Sequence, residues 1–196
     1  MDIKIEDIQK LREQTGVGIM EAKGALTEAA GDFEKAVEVL RKKGLSKAQK
    51  RAGREAKEGI IDCYIHHGGR IGAMIELNTE TDFVAKTDDF KNLAREIALQ
   101  VATMDPEYIS IEDIPEDIIK KEKDIEIEKL KTEGKPENII EKIIEGKMNN
   151  FYKQVVLLKQ FYVKDENKTI EDLITEAISK LGENIKVRRF SRFQIK

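Results

Sequence analysis

Hydrophobic residues recur at helical spacing in the first 44 residues of the chain and predict three short helices there. The run Thr15-Gly16-Val17-Gly18 separates the first helix from the second, and Gly31 ends the second. Asp32 is suited to cap the third helix, which we expect to end near Gly44. Three helices of this size bury little surface, so the module they form is expected to be only marginally stable by itself.

Beyond this module, alternating and helical patterns occur in turn and predict an α+β fold. Residues 60–66 and 70–77 alternate in polarity around Gly68-Gly69 and predict a β-hairpin. The further elements that the pattern predicts are helices at 88–104, 115–132, 137–153 and 169–181, an extended stretch at 155–163 and a strand at 184–195. We therefore expect a small antiparallel sheet packed by helices.

The predicted terminal strand is apolar on both faces. Ile185 and Val187 share one parity with Phe193 and Ile195, whereas Phe190 has the other. This break predicts a bulge or a strand buried on both sides. A strand of this kind at a chain end is also a plausible subunit contact.

A large aromatic residue, Phe83, lies on the connector between the predicted hairpin and the helix at 88–104. Neither apolar face accounts for it. One interpretation is that Phe83 folds back onto the core while Asp82 caps a turn. The other is that the ring is a binding residue, because binding residues concentrate on connectors.

Residues 46–58 predict a charged helical linker, and the segment 41–57 holds eight basic residues against one acidic residue, Glu55. A solvated linker is the favoured interpretation, and contact with an acidic protein surface or with nucleic acid is the alternative. No aromatic residue interleaves with these charges to stack on bases.

The remaining composition narrows the function classes. Net charge is −3 in 196 residues, so general attraction to nucleic acid or anionic membrane is not expected. No apolar run reaches the length of a membrane span, and the N-terminus lacks the apolar region of a signal peptide, so we expect a cytoplasmic protein. We expect no metal site, because Cys63 is the single cysteine and the adjacent His66 and His67, the two histidines of the chain, point to opposite faces of a strand. Phosphate-binding loops and nucleophile motifs are absent from the sequence, so we expect no cofactor and no covalent catalysis.

Three stretches resemble translation elongation factor Ts, the guanine-nucleotide exchange factor for EF-Tu. They are Leu11-Arg12-Glu13-Gln14-Thr15-Gly16-Val17-Gly18-Ile19-Met20, Glu76-Leu77-Asn78-Thr79-Glu80-Thr81-Asp82-Phe83-Val84-Ala85-Lys86, and Gly182-Glu183-Asn184-Ile185-Lys186-Val187-Arg188-Arg189. They occur in the order of the family and span nearly the whole chain. The length is similar to that of the short form of the family, which has one core module.

The resemblance implies a ubiquitin-associated-like (UBA-like) module at residues 1–45, a linker at 46–58 and an α+β core with a dimerisation role at 59–196. It implies that Thr81, Asp82, Phe83 and Val84 form a loop whose ring enters EF-Tu, displaces Mg²⁺ and promotes GDP release. Val17, Ile19 and Met20 are implied to dock on EF-Tu, although the family often has two methionines where this chain has Ile19-Met20. It further implies a homodimer and a 2:2 complex.

Three alternatives belong to other function classes. The helical module could serve an adaptor for ubiquitin-like proteins, and the basic segment could bind RNA. A carboxylate-based hydrolase is the third alternative. None of the three accounts for the sequence from Thr81 to Val84.

Overall fold

The computed structural model describes residues 3–195, without the side chain of Asn138, and has the α+β fold that the sequence predicts. Its α-helices are α1 Ile5–Thr15, α2 Ile19–Glu28, α3 Phe33–Arg51, α4 Asp82–Ala85, α5 Asp88–Met104, α6 Glu116–Thr132, α7 Glu137–Val155 and α8 Ile170–Leu181. Its strands are β1 Glu58–Ile65, β2 Ile71–Thr79, β3 Phe161–Tyr162, β4 Asp165–Thr169 and β5 Ile185–Gln194. Two 3₁₀ turns cover Ile111–Asp113 and Leu157–Lys159.

The strands form two sheets. One has three strands in the order β1-β2-β5, and the other pairs β3 with β4 in antiparallel register. The turn between β1 and β2 contains Gly68 and Gly69, as predicted, and across it the amide of His66 donates to the carbonyl of Ile71. The hairpin prediction is therefore confirmed.

The chain divides into two compact units. Unit 1 contains residues 1–62, 76–94 and 172–188, and unit 2 contains residues 63–75, 95–171 and 189–196.

Unit 1 contains the three N-terminal helices, which share one apolar core. Its buried residues include Leu11, Ala22, Leu26 and Ala36. The Asp32 carboxylate accepts from the backbone amide of Lys35 at 3.1 Å, which confirms the predicted cap of α3.

Helix α3 does not end near Gly44, and that prediction is wrong. The helix continues to Arg51, and Gly44 is buried within it. A Cβ at this position would lie 3.8 Å from side-chain atoms of Thr175 and Ser179, so Gly44 is a close packing point against α8 within unit 1. Arg41 strengthens the same contact through an ion pair with Asp172 at 2.9 Å. Packing against α8 therefore outweighs the local tendency of glycine to end a helix.

Unit 2 has an apolar cluster and a buried amide network. Helices α6 and α7 pack through a cluster that includes Leu130, Ile140, Ile144 and Met148. Gln100 donates to the Gln160 side-chain oxygen at 3.2 Å and to the carbonyl of Phe161 at 3.0 Å. This network satisfies buried amides that would otherwise be costly.

The stretch at 155–163 is not extended throughout, contrary to the prediction. Only Phe161–Tyr162 is a strand, and a 3₁₀ turn precedes it. The amide of Gln160 bonds back to the carbonyls of Val156 and Leu157. These local bonds hold the segment in a turn despite its β-branched residues.

The phase break in the terminal strand is visible in its burial. Ile185 and Val187 are buried, Phe190 is half-buried, and Phe193 and Ile195 are 74% and 60% exposed. The inward parity therefore changes after Val187.

Candidate functional site: the Phe83 helix and the α2 terminus

The connector that carries Phe83 is a single helical turn, α4, with both ends held by side chains. At its start, the Thr81 hydroxyl accepts from the backbone amide of Val84 at 3.4 Å. At its end, the Thr87 hydroxyl donates to the Val84 carbonyl at 2.7 Å and accepts from the Phe90 amide at 3.3 Å. The N-cap is Thr81, so the expectation that Asp82 caps the turn is wrong.

Phe83 points into solvent. Its side chain is 80% exposed, whereas Ala85, two residues later, is 4% exposed and anchors the turn. The interpretation that Phe83 folds back onto the core is therefore wrong. An exposed aromatic ring on a held backbone offers a large apolar area with few rotamers to lose.

Asp82 forms an ion pair with Lys86 one turn later, with 2.5 Å between carboxylate and ammonium. The hydrogen bond from Lys86 lowers the pKa of Asp82, and the same bond raises the pKa of Lys86. An acidic residue four positions before a lysine is the favourable orientation in a helix. Both groups face water, so the pair orients α4 more than it stabilises the fold.

The start of α4 is held by Glu183, which lies just beyond α8. One carboxylate oxygen accepts from the Thr79 hydroxyl at 2.8 Å and from the Thr81 amide at 3.0 Å. The other accepts from the Thr81 hydroxyl at 2.7 Å. Burial acts to raise the pKa of Glu183, but these hydrogen bonds outweigh it and hold the pKa below its ordinary value.

A second set of contacts runs the opposite way between the same two segments. The Glu80 carboxylate accepts from the Asn184 amide at 2.7 Å and pairs with Arg54 at 3.4 Å. The Asn184 side chain donates to the Arg54 carbonyl at 2.7 Å. Thr79, Glu80 and Thr81, from the end of β2 to the N-cap of α4, are thus bonded to Glu183 and Asn184 after α8, within unit 1.

The predicted docking residues at the N-terminus differ in their exposure. Gly16 ends α1 in the left-handed region, with φ of 68°. Val17 is half-buried against the helical core, whereas Ile19 and Met20 are 56% and 77% exposed at the start of α2. Ile19 and Met20 therefore present apolar surface, whereas Val17 packs partly against the helical core.

The basic segment at 41–57 is largely paired within the chain. Five of its basic residues form ion pairs, which are Arg41 with Asp172, Lys43 with Glu28, Lys47 with Glu21, Arg54 with Glu80, and Lys57 with Glu55. Paired charges attract a phosphate backbone less than free charges do. The structure therefore favours the interpretation that this segment is structural.

Over the described part of the chain, no cluster of three His, Cys, Asp or Glu side chains is arranged to hold a metal ion. Of the helices within residues 3–195, none combines the length and apolarity required to span a membrane.

Comparison with known proteins identifies the family. A family model described as Elongation factor TS matches residues 5–195. The chain belongs to the elongation factor Ts family. It is therefore a translation elongation factor.

Several relatives match along their full length. Elongation factor Ts of Fervidobacterium nodosum is 56% identical over 195 residues, which cover 100% of this chain and 99% of the relative. The proteins of the same name from Coprothermobacter proteolyticus and Thermotoga petrophila are each 55% identical over 195 residues, with 99% and 97% of their own lengths covered. The resemblance seen in the three sequence stretches is thus confirmed at the level of the family.

The sequence did not predict the contacts that hold the start of the Phe83 helix, α4. Glu183 and Asn184 belong to one of the recognised stretches, but nothing local relates them to Thr81. The available signal was the polar pair between Gly182 and the apolar Ile185 at the junction of a helix and a strand; the structure leaves Glu183 half-buried and Asn184 buried, so both need partners.

Proposed function

We propose that the chain is the guanine-nucleotide exchange factor of EF-Tu, acting on EF-Tu·GDP to displace Mg²⁺ and release GDP so that GTP can bind. It acts by binding, without bond making and without a cofactor, in the cytoplasm. The observation that carries the proposal is Phe83, 80% exposed on a helical turn whose two ends are held.

The physical requirement for exchange is differential affinity. The factor must bind nucleotide-free EF-Tu better than EF-Tu·GDP, and GDP then weakens factor binding by the same ratio. The Phe83 ring is already exposed on an ordered backbone, so its insertion into EF-Tu would cost little conformational entropy. More of the binding free energy is then left to favour the nucleotide-free form. Thr81, Asp82 and Val84 hold the turn, and Phe83 is the wedge.

Docking is assigned to the exposed Ile19 and Met20 together with the half-buried Val17. Their exposure supports a contact separate from the wedge, so that binding and nucleotide release depend on different residues. We keep the division into a UBA-like module at 1–45, a linker at 46–58 and a core at 59–196 as a functional proposal. In this scheme residues 1–45 supply affinity and the core supplies the wedge.

The direct test uses the whole chain with EF-Tu carrying a fluorescent GDP. Substoichiometric chain is expected to accelerate GDP release in stopped flow, and the two proteins are expected to co-elute in a complex that added GDP dissociates. Release at the unassisted rate would refute the proposal. Binding to a ubiquitin-like protein but not to EF-Tu would favour the adaptor alternative, and salt-sensitive RNA binding would favour the RNA alternative.

We also propose a homodimer, formed by the apolar outer face of unit 2 and a second copy of the chain. Ile65, Met74 and Phe193 lie on strands of the three-stranded sheet, Ile195 directly follows its last strand, and all four are between 50% and 74% exposed. Clustered exposed apolar side chains mark interaction surfaces. Light scattering should give twice the chain mass, and a 2:2 complex with EF-Tu.

Phe193→Asp is expected to lower the mass measured by light scattering to that of one chain, because it places an unpaired charge in the apolar interface. Ile139→Asp, at an exposed position of α7, is the matched control. A monomeric wild-type chain would refute the dimer without touching the exchange proposal.

A further inference from the structure

Glu183 lies beyond the end of α8, yet it forms two hydrogen bonds with Thr81, the N-cap of the Phe83 helix. Val84 and Ala85, which belong to that helix, form one each with Thr81. Its carboxylate accepts three bonds, two from Thr81 and one from Thr79. Thr81 is the first residue of the wedge loop and Thr79 is the last residue of β2, so these bonds tie the loop to the segment that follows α8. The wedge and docking roles do not explain why a carboxylate from outside the loop is bonded to it.

The chemistry of the Thr81 hydroxyl gives that explanation. A hydroxyl has one hydrogen to donate and lone pairs to accept with. Because the hydrogen points to Glu183 at 2.7 Å, a lone pair remains for the Val84 amide at 3.4 Å. The carboxylate therefore sets the rotor of the N-cap in the orientation that starts the helix.

The short length of α4 makes this control necessary. A helix of four residues cannot persist by its own hydrogen bonds, because the cost of nucleation exceeds the few bonds made. Its conformation depends on what holds its ends. The Phe83 ring itself contributes little, being 80% exposed.

The local chain conformation brings Glu183 to this place. Gly182 follows α8 in the left-handed region, with φ of 79°, and its amide still bonds to the Ile178 carbonyl at 3.0 Å. The turn ends the helix and directs the next two residues to β2 and α4. Asn184 then bonds to Glu80 through its backbone amide, so the register between the two segments is fixed at Glu80 as well as at Thr79 and Thr81.

We propose that Glu183 is a positioning residue for nucleotide exchange, which orients the Thr81 cap and thereby holds Phe83 in the inserting conformation. The proposal rests on the exchange function above. It predicts that Glu183 governs the rate of GDP release from the bound complex and leaves docking through Ile19 and Met20 unchanged.

The test measures GDP release from EF-Tu at increasing concentrations of Glu183→Ala, Thr81→Val and wild-type chain. Both variants are expected to lower the plateau rate by about five- to tenfold, the effect of losing a helix cap, with the half-saturating concentration unchanged. Thr81→Ser keeps the hydroxyl that Thr81→Val lacks, so its plateau rate is expected to exceed that of Thr81→Val. Thr81→Val has nearly the shape of threonine, so it keeps the test decisive if Glu183→Ala fails to fold.

A double-mutant cycle separates positioning from a general loss of structure. If Glu183 acts through the ring, Glu183→Ala should have no further effect on the plateau in a Phe83→Ala background. Equal effects in both backgrounds, or an unchanged plateau in Glu183→Ala and Thr81→Val, would overturn the proposal. If the wild-type chain does not accelerate release, the exchange function itself has failed, which is a different result.

Discussion

Replacing Phe83 by alanine is the perturbation that most directly tests the wedge. The ring is 80% exposed, so its removal should not weaken the fold of the free chain. Truncation of an exposed side chain usually changes the free energy of unfolding by less than about 0.5 kcal/mol. Any large functional effect then belongs to the complex.

The magnitude follows from the exposed area. A phenylalanine side chain that enters a partner buries at least about 150 Å². With 80% of the ring free to be buried, roughly 120 Å² becomes available, worth about 3 kcal/mol at ~25 cal/mol per Å². If that free energy is realised in the nucleotide-releasing state, its loss slows release by about 100-fold.

The assay is stopped-flow release of fluorescent GDP from EF-Tu at saturating chain, with binding to nucleotide-free EF-Tu measured separately. Phe83→Leu keeps most of the apolar area and should retain most of the rate, and Ile139→Ala, at a 45% exposed position on α7, serves as a control for loss of exposed apolar area. Release by Phe83→Ala at the wild-type rate would refute the wedge. An equal loss of rate in Ile139→Ala would mean that the ring has no special role.

Three further predictions concern stability. Gly59→Ala should destabilise the chain by about 3 kcal/mol, because its Cβ would lie 2.2 Å from the Leu77 carbonyl oxygen. Gly72→Ala, whose Cβ would lie 3.5 Å from the nearest atom, should be tolerated. Equal urea midpoints for the two variants would contradict this prediction. Gly24→Ala, exposed within α2 with no atom within 4 Å of the new Cβ, should stabilise by about 0.5–1 kcal/mol in the same denaturation assay. Because the pKa of Glu183 is lowered in the folded chain, its carboxylate stabilises the fold fully above pH 4.5, and this stabilisation is lost as pH falls through the lower native pKa. The difference in Tm between wild type and Glu183→Gln should therefore disappear on acidification. A difference that does not change with pH would show that the charge of Glu183 is not responsible.

Local pattern was sufficient for much of the fold. The sequence predicts helices at 88–104 and 137–153, which correspond to α5 and α7. These elements are readable because periodicity, caps and proline act over a few residues. The three family stretches are also local in sequence, so the family could be recognised from them.

The tertiary structure decided the roles that depend on distant partners. By sequence Gly44 is a helix stop, but its neighbours on α8 make it a packing residue. The sequence allowed Phe83 to lie either on the core or in solvent, and the fold shows that its ring lies in solvent.

The Thr79–Glu183 bond joins residues 104 positions apart. No periodic pattern encodes a contact at that separation, because it exists only after α8 has packed and the chain has turned at Gly182. The sequence by itself therefore determined most of the elements and the family, whereas the fold determined which residues hold the Phe83 helix in place.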